Sequence, residues 1–385
     1  MRRSMTIKKK KQTMIAQDLV DIYEDWWNGR NRKPLLAVYV GDPKFKLGDH
    51  MPPWMDRSVP GYKLFSYALS FCEKEKSFRP LHDVFDLHET SSKLSGLEYL
   101  GAAFPTMRTD FGAVPVAGVI SGFAEFDMAS KSMWFELAEG WSLERIAALP
   151  EDASSPWADL CRGAGREAVQ RFGGRILMVE PAMFGRLDVL AALRSTGQLL
   201  MDCMDSPELV HAALAALEPI FWRYWDETRA LLAPCNQGLY SSWIGVLSNR
   251  PYATSQADFS VMLSPALFEE FALPGIRREA ERIGRTAYHL DGPEQIKYLD
   301  MILAIPEVRA IQWPPYPGLS VLKGDCDEMI RKVIDSGRRL VMSEIPPDPG
   351  AVRTLFSRFP GEAFHLSMWA PDVETGKKVV KESGA

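Results

Sequence analysis

The residues best suited to chemistry lie in the hexapeptide Tyr288-His289-Leu290-Asp291-Gly292-Pro293. It follows a short apolar run, Thr286-Ala287-Tyr288, and precedes an amphipathic one carrying Ile296, Leu299, Ile302 and Leu303. That is the pattern of a strand turning directly into a helix. Residues two apart on a strand face the same way, so His289 and Asp291 point together above the strand end. Gly292 permits a tight turn, and Pro293 suits the first helical position, where its missing N–H is not needed. An imidazole beside a carboxylate at the positive end of a helix can hold a metal, move a proton or bind an anion. The plainer alternative is a His–Asp pair that only braces the turn.

The elements that must position this pair follow from the periodicity. Ile15, Leu19, Ile22 and Trp26 mark an opening helix ended by Gly29, and Pro34 to Val40 reads as a buried strand. Residues 41–61 are rich in Pro, Gly and Asp and read as loop, followed by a helix from Tyr62 to Glu75. The segment 96–122 reads as loop with short strand. From Ser155 a rhythm sets in, with strands at Ile176 to Val179, Leu239 to Trp243, Thr286 to Tyr288, Val308 to Trp313, Arg339 to Ser343 and Ala363 to Ser367. Helices fall between them, one broken near Ser195-Thr196-Gly197 and one kinked at Pro274. Strictly alternating strands and helices imply a parallel sheet covered on both sides. No G-x-G-x-x-G follows the first strand, which removes the Rossmann signature. The expected fold is therefore α/β, a (β/α)8 TIM barrel with N-terminal helical and loop additions of roughly 100 residues. Residues 15–385 form its single domain, and residues 1–14 a basic flexible tail.

In a barrel, sites form at the C-terminal ends of the strands. The residues expected there are Trp243, His289, Asp291, Gln312, Trp313, Glu344, His365 and Ser367. For Trp243 and Trp313 packing competes with a ligand platform. For Glu344 the alternative is a solvated loop. His365, between Phe364 and Leu366, competes with a core histidine.

Composition narrows the partners. The chain has 45 Lys and Arg against 50 Asp and Glu; six of the basic residues (Arg2, Arg3 and Lys8 to Lys11) sit in the tail. Without them 39 basic residues face 50 acidic ones, an acidic body that argues against nucleic acid. Five scattered cysteines without a C-x-x-C pair fit reduced thiols in a cytoplasmic protein. No apolar run reaches the length needed to cross a bilayer, and none follows the tail as a secretory signal requires.

Longer motifs resemble one family. They are Trp26-Trp27-Asn28-Gly29 with Lys33-Pro34-Leu35; Tyr99-Leu100-Gly101 with Ala103-Phe104-Pro105; Asp110-Phe111-Gly112; and Met133-Trp134-Phe135. Leu187 to Arg194, Leu200-Met201-Asp202 and Asp205 to Glu208 add to them. So do Gln256 to Pro265, the Tyr288 hexapeptide and Ala310-Ile311-Gln312-Trp313. Together they resemble the uroporphyrinogen decarboxylase-like superfamily, closest to its corrinoid-dependent methyltransferase-associated members, from about residue 18 onward. The resemblance implies the same barrel and two candidate chemistries. Decarboxylases of that superfamily grip an anionic tetrapyrrole with an Arg-rich loop after the first strand; here Val40-Gly41-Asp42-Pro43 carries acid instead. The methyltransferase branch holds zinc by His-x-Cys and a last-strand Cys. This chain has His289-x-Asp291 and Ser367-Met368 at those places, a harder and oxygen-richer set suited to polarising a substrate oxygen.

The resemblance thus implies a methyltransferase working between a small-molecule methyl donor or acceptor and a corrinoid (cobalamin). His289, Asp291 and Glu344 would be catalytic, with zinc held among His289, Asp291, Glu344 and His365. Trp243, Asp258, Gln312 and Trp313 would bind substrate. Asp86-Leu87-His88 opens a corrinoid-binding pattern, but Ser91 stands where glycine is required, so the corrinoid is expected on a separate partner protein. A homodimer is compatible with this reading. The alternatives are a decarboxylase acting on a carboxylate substrate, and a barrel that has lost catalysis and serves as a binding partner.

Overall fold

Apolar alternation builds the sheet, and amphipathic helices cover it. The computed structural model describes residues 15–383 apart from 42–51, 57, 60–62, 95–97, 110, 113 and 184. The basic tail and the Asp42-Pro43 pair lie outside the described residues. The strands in chain order are β1 (Leu35–Val40), β2 (Glu98–Gly101), β3 (Thr106–Arg108), β4 (Glu125–Asp127), β5 (Ser132–Trp134), β6 (Leu177–Val179), β7 (Tyr240–Ser241), β8 (Leu247–Ser248), β9 (Ala253–Ser255), β10 (Thr286–His289), β11 (Val308–Trp313), β12 (Arg339–Met342) and β13 (Phe364–Ala370). Seven of them form one sheet in the order β2-β1-β13-β12-β11-β10-β9, parallel except for β2. Parallel neighbours need crossover connections. The helices Leu273–Ile283, Leu299–Leu303, Asp327–Asp335 and Pro349–Arg358 supply them, and Val373–Glu382 follows β13.

The two faces of the sheet bury different sets. Leu36, Val38, Tyr288, Ile311, Leu340 and Leu366 pack toward the helices. Leu35, Ala37, Ala287, Ala310 and Val341 line the other face with Tyr23, Trp26 and Trp27 of the opening helix Gln17–Trp27. That helix sits against the beginnings of the strands. Tyr23 donates to Ala102 O at 2.9 Å, and Trp27 Nε1 donates to Leu247 O at 2.9 Å. The aromatic residues take its buried face, which leaves Ile22 47 % exposed against the periodicity expected for it.

The fold class is α/β, but the hydrogen bonds do not close a ring among the described residues. β3 and β6 pair in parallel with each other, outside the seven-stranded sheet. The reason lies in the segment 96–122: β2 folds back antiparallel on the free edge of β1, from Ala37↔Gly101 to Val40↔Glu98, and occupies it. The expected break at Ser195 is present, at φ 76, between the helices Arg186–Arg194 and Thr196–Asp205. At Pro274 a π-helical turn, Phe268–Ala272, precedes the helix, so the proline falls in a first turn where it needs no donor. Among the described residues no helix is long and apolar enough to cross a membrane.

Candidate metal centre

His289 is the last residue of β10, and the turn beyond it is fixed from both sides. Leu290 N donates to Gln312 O at 2.9 Å, carrying the β11 pairing one residue past the strand. Gly292 then adopts φ 85, where a side chain would also strike Tyr316 at 2.8 Å. Pro293 opens a short 3-10 turn, Pro293–Tyr298. Gln295, fully buried, accepts from Asp291 N at 3.1 Å and donates to Ala257 O at 2.9 Å. One amide thus clamps the turn after β10 to the turn after β9, and brings Asp258 beside Asp291. The β9 turn is held again from below. Buried Asp188 accepts from the backbone N–H groups of Asp258 (3.1 Å) and Phe259 (2.8 Å).

The result is a corner of one imidazole and two carboxylates whose ligand atoms lie within 4.8 Å of one another: Asp258, His289 and Asp291. His289 Nδ1 meets the Gln312 Oε1 acceptor, so Nδ1 carries the proton and Nε2 presents its lone pair. That lone pair faces Asp291 Oδ1 at 3.7 Å and Asp258 Oδ1 at 4.0 Å. Both separations are too long for hydrogen bonds. They are close to the ~3.4 Å between neighbouring ligands of a tetrahedral ion with bonds near 2.1 Å. Asp258 Oδ1 is buried and has no hydrogen-bond partner among the described residues, while its other oxygen accepts from Gln256 Nε2 at 3.2 Å. Trp243 stands edge-on to the imidazole, ring centroids 5.1 Å apart.

The electrostatics follow from burial without a neighbouring lysine or arginine among the described residues. Burial first, then the Asp291 charge, push the Asp258 carboxyl up to about 7. Burial and the Asp258 charge raise Asp188 well above the carboxylate range, against its two backbone donors. Burial lowers His289, opposed by its bond to Gln312 and by Asp291 and Asp188. A neutral imidazole beside carboxyls that burial holds toward their protonated forms, Asp188 and Asp258, is a corner short of positive charge. It can take up a divalent ion, or give and receive a proton.

No family model matches the chain, and no curated protein matches it by sequence. Among solved structures it is similar to a methyltransferase from Methanosarcina mazei, at 15 % identity over 95 % of this chain and 98 % of that one, with a TM-score of 0.56. At that identity the likeness is one of fold.

The structure brings together five of the residues singled out from the sequence: Trp243, Asp258, His289, Asp291 and Gln312. Ser367 lies mid-strand in β13 beside Ala37, and three others stand elsewhere. Trp313 follows Gln312 on one strand and must face the opposite way; it is 3 % exposed in the core beneath the helices. Glu344 is exposed at a left-handed φ of 57 just past β12 and is not part of the metal-competent group. His365 is the second residue of β13, paired with Leu35 at the start of β1. It is fully buried against Tyr23 and Trp26, with Nε2 3.0 Å from Tyr23 Oη. Glu344 and His365, expected as ligands, therefore do not join the group around His289 and Asp291; Asp258, which the resemblance marks for substrate, does. Periodicity gives no role to Asp188 or Gln295, although Asp188 lies in the stretch Leu187 to Arg194 and Gln295 falls one turn after Asp291.

Proposed function

We propose that this chain is a methyltransferase that moves a methyl group between a small substrate and the cobalt of a corrinoid carried on a separate protein, assisted by a divalent metal at Asp258, His289 and Asp291. The observation that carries the reading is the His289 Nε2 lone pair facing two carboxylate oxygens at 3.7 and 4.0 Å. One imidazole and two carboxylates suit zinc with a coordination position left for substrate. The fold likeness to the Methanosarcina mazei methyltransferase supports the reading. So do the motifs resembling corrinoid-associated members of the uroporphyrinogen decarboxylase-like superfamily, and with them we take the barrel as the architecture of the whole chain. Bound in this corner, the metal would polarise a substrate oxygen and offset the charge left there as the methyl group departs. The chain's own residues prepare that step. Gln312 fixes the imidazole tautomer, Asp188 and Gln295 hold the two carboxylate-bearing turns together, and Trp243 shields one side of the imidazole from water.

Metal analysis of protein purified without chelator tests the reading, with about one divalent ion per chain expected. His289→Ala should lose both that ion and the methylation of cob(I)alamin followed by absorbance. Full metal content in an inactive His289→Ala protein would remove the metal from the mechanism. A second reading, a lyase that decarboxylates a small carboxylate substrate, draws on one observation. An Asp258 carboxyl that titrates at about 7 can protonate the carbanion left by CO2. Release of CO2 that needs no corrinoid and survives chelation would favour it.

A further inference from the structure

The mouth of the site carries a row of rings that the metal corner does not use. Tyr99, Tyr39 and Trp369 are lateral partners on β2, β1 and β13. They stand on the same face of the sheet as Ala37, because residues two apart on a strand share a face. Tyr39 and Trp369 are tilted by 32°, centroids 5.3 Å apart, and Tyr99 meets Tyr39 edge-on at 6.1 Å. Trp369 is 40 % exposed although it is the last but one residue of a strand whose other side chains are mostly buried. The row reaches the metal corner through one short loop: Trp243 packs on His289, and two residues later the Gly245 position faces Tyr39 Oη at 4.0 Å.

A cation completes the set. Met107 of β3 packs into the core under the helices, so Arg108 points to the opposite side. Thr106, two residues before Arg108, pairs with Leu177, which packs on the same side as Tyr39 and Tyr99, so Arg108 faces that side too. Burial lifts the Tyr39 phenol to about 12, with Tyr99 adding to the rise and the Arg108 charge opposing it. Arg108 is half-buried and has no hydrogen bond or ion pair among the described residues. An open indole face, two phenols and a guanidinium unpaired among the described residues, one short loop from a metal-competent corner, specify a ligand of one kind. It is planar, so that its ring stacks; it is anionic, so that the arginine forks onto it; and it is small enough to reach the corner.

We infer that the small-molecule partner of this site is an aromatic acid, its ring stacked on Trp369 and Tyr39 and its carboxylate on Arg108. This rests on the methyltransferase reading for the chemistry done on that molecule, and on the aromatic row and Arg108 for its recognition. The test uses the full chain with its metal content measured, and calorimetric or tryptophan-fluorescence titration with three probes: benzoate, cyclohexanecarboxylate and benzyl alcohol. Benzoate should bind about tenfold more tightly than either of the others, since one lacks the planar ring and the other the charge. Trp369→Ala and Arg108→Gln should each weaken benzoate about tenfold, while Trp369→Phe keeps most of the affinity. Trp369 is exposed enough that its replacement does not open the core. Equal affinity for cyclohexanecarboxylate, or unchanged benzoate binding in Trp369→Ala or Arg108→Gln, overturns the inference. Benzoate binding that persists in a chain without metal or methyl transfer upholds this inference while the functional reading falls. A metal-loaded chain active in methyl transfer that ignores benzoate does the reverse.

Discussion

His365 supplies a test of the fold's charge bookkeeping that is independent of the reaction. Tyr23 Oη lies 2.9 Å from Ala102 O and 3.0 Å from His365 Nε2. A carbonyl only accepts, so the single phenolic proton goes to Ala102 and His365 Nε2 must donate to Tyr23. The other ring nitrogen, Nδ1, is then a bare lone pair, and among the described residues nothing meets it. A second proton would have to sit there, among Tyr23 and Trp26, and burial lowers the imidazole to about 4. The folded chain therefore binds this proton less readily than the unfolded one, whose histidines titrate near ~6.5. Stability is full above that value, is lost as pH falls from about 6.5 to about 4, and levels off below. At ~1.4 kcal/mol per pH unit the loss approaches about 3 kcal/mol, a large share of a typical net stability. Urea unfolding of the wild type and His365→Gln at several pH values between 7 and 4 reads it directly. Glutamine keeps a donor for Tyr23 but cannot titrate, so its profile should lack that decline even if its absolute stability is lower. Parallel profiles would refute the neutral-tautomer argument. Metal content should be the same in both proteins, because His365 lies at the opposite end of the strands from the Asp258 corner.

Three further outcomes follow from the geometry. Asp188→Ala leaves the Asp258 and Phe259 N–H groups without an acceptor, a loss of about 2 to 6 kcal/mol in urea unfolding at about 1–3 kcal/mol each. It should also reduce metal retention, and wild-type retention would show that Asp188 does not position the loop. Trp313→Ala should lose about 3–5 kcal/mol of stability while binding metal as before, whereas a selective loss of metal would place the indole in the site. Because Asp258 titrates at about 7, its proton must leave when an ion enters. Calorimetry in buffers of different ionisation enthalpy should show close to one proton released per ion at pH 6, fading toward pH 8; uptake without release at pH 6 would contradict that assignment.

The part of the site legible in the sequence was the part governed by strand periodicity. His289 and Asp291, two apart across a strand end with Gly292-Pro293 behind them, had to share a side. Gln312 follows as the lateral partner of His289. The same rule excludes Trp313, since adjacent residues on a strand cannot both face one cavity. His365 was misplaced by a boundary. The strand was expected to end at Ser367 but runs Phe364–Ala370, so His365 falls near its start and Trp369 near its end. Glu344 turned on a left-handed backbone that nothing in Ser343-Glu344-Ile345 announces. β9 is three residues long, Ala253-Thr254-Ser255, too short and too polar to register as an apolar run. Without it Asp258 had no strand end to belong to. Closure of the ring was likewise beyond periodicity, because a short antiparallel β2 in a glycine-rich stretch decides what borders β1.

Asp188, Asp258 and Asp291 together pose the remaining question of why a fold gathers three acids around a neutral imidazole. No lysine or arginine pairs with any of them among the described residues, and burial holds His289 away from its charged form. Left ionised, these carboxylates would repel one another in a setting that screens charge poorly. The chain relieves this in part with protons, as the raised Asp188 and Asp258 indicate. Yet Asp188 has both its oxygens committed to backbone donors, and Gln295 is wholly buried to hold Asp291 against Asp258. A pair of acids needed only for packing would be more stable as amides or apolar groups. Fixing them within reach of a lone pair makes physical sense when a positive charge is to be delivered to that point. On the function proposed here, a divalent ion held by Asp258, His289 and Asp291 would supply that charge in place of protons.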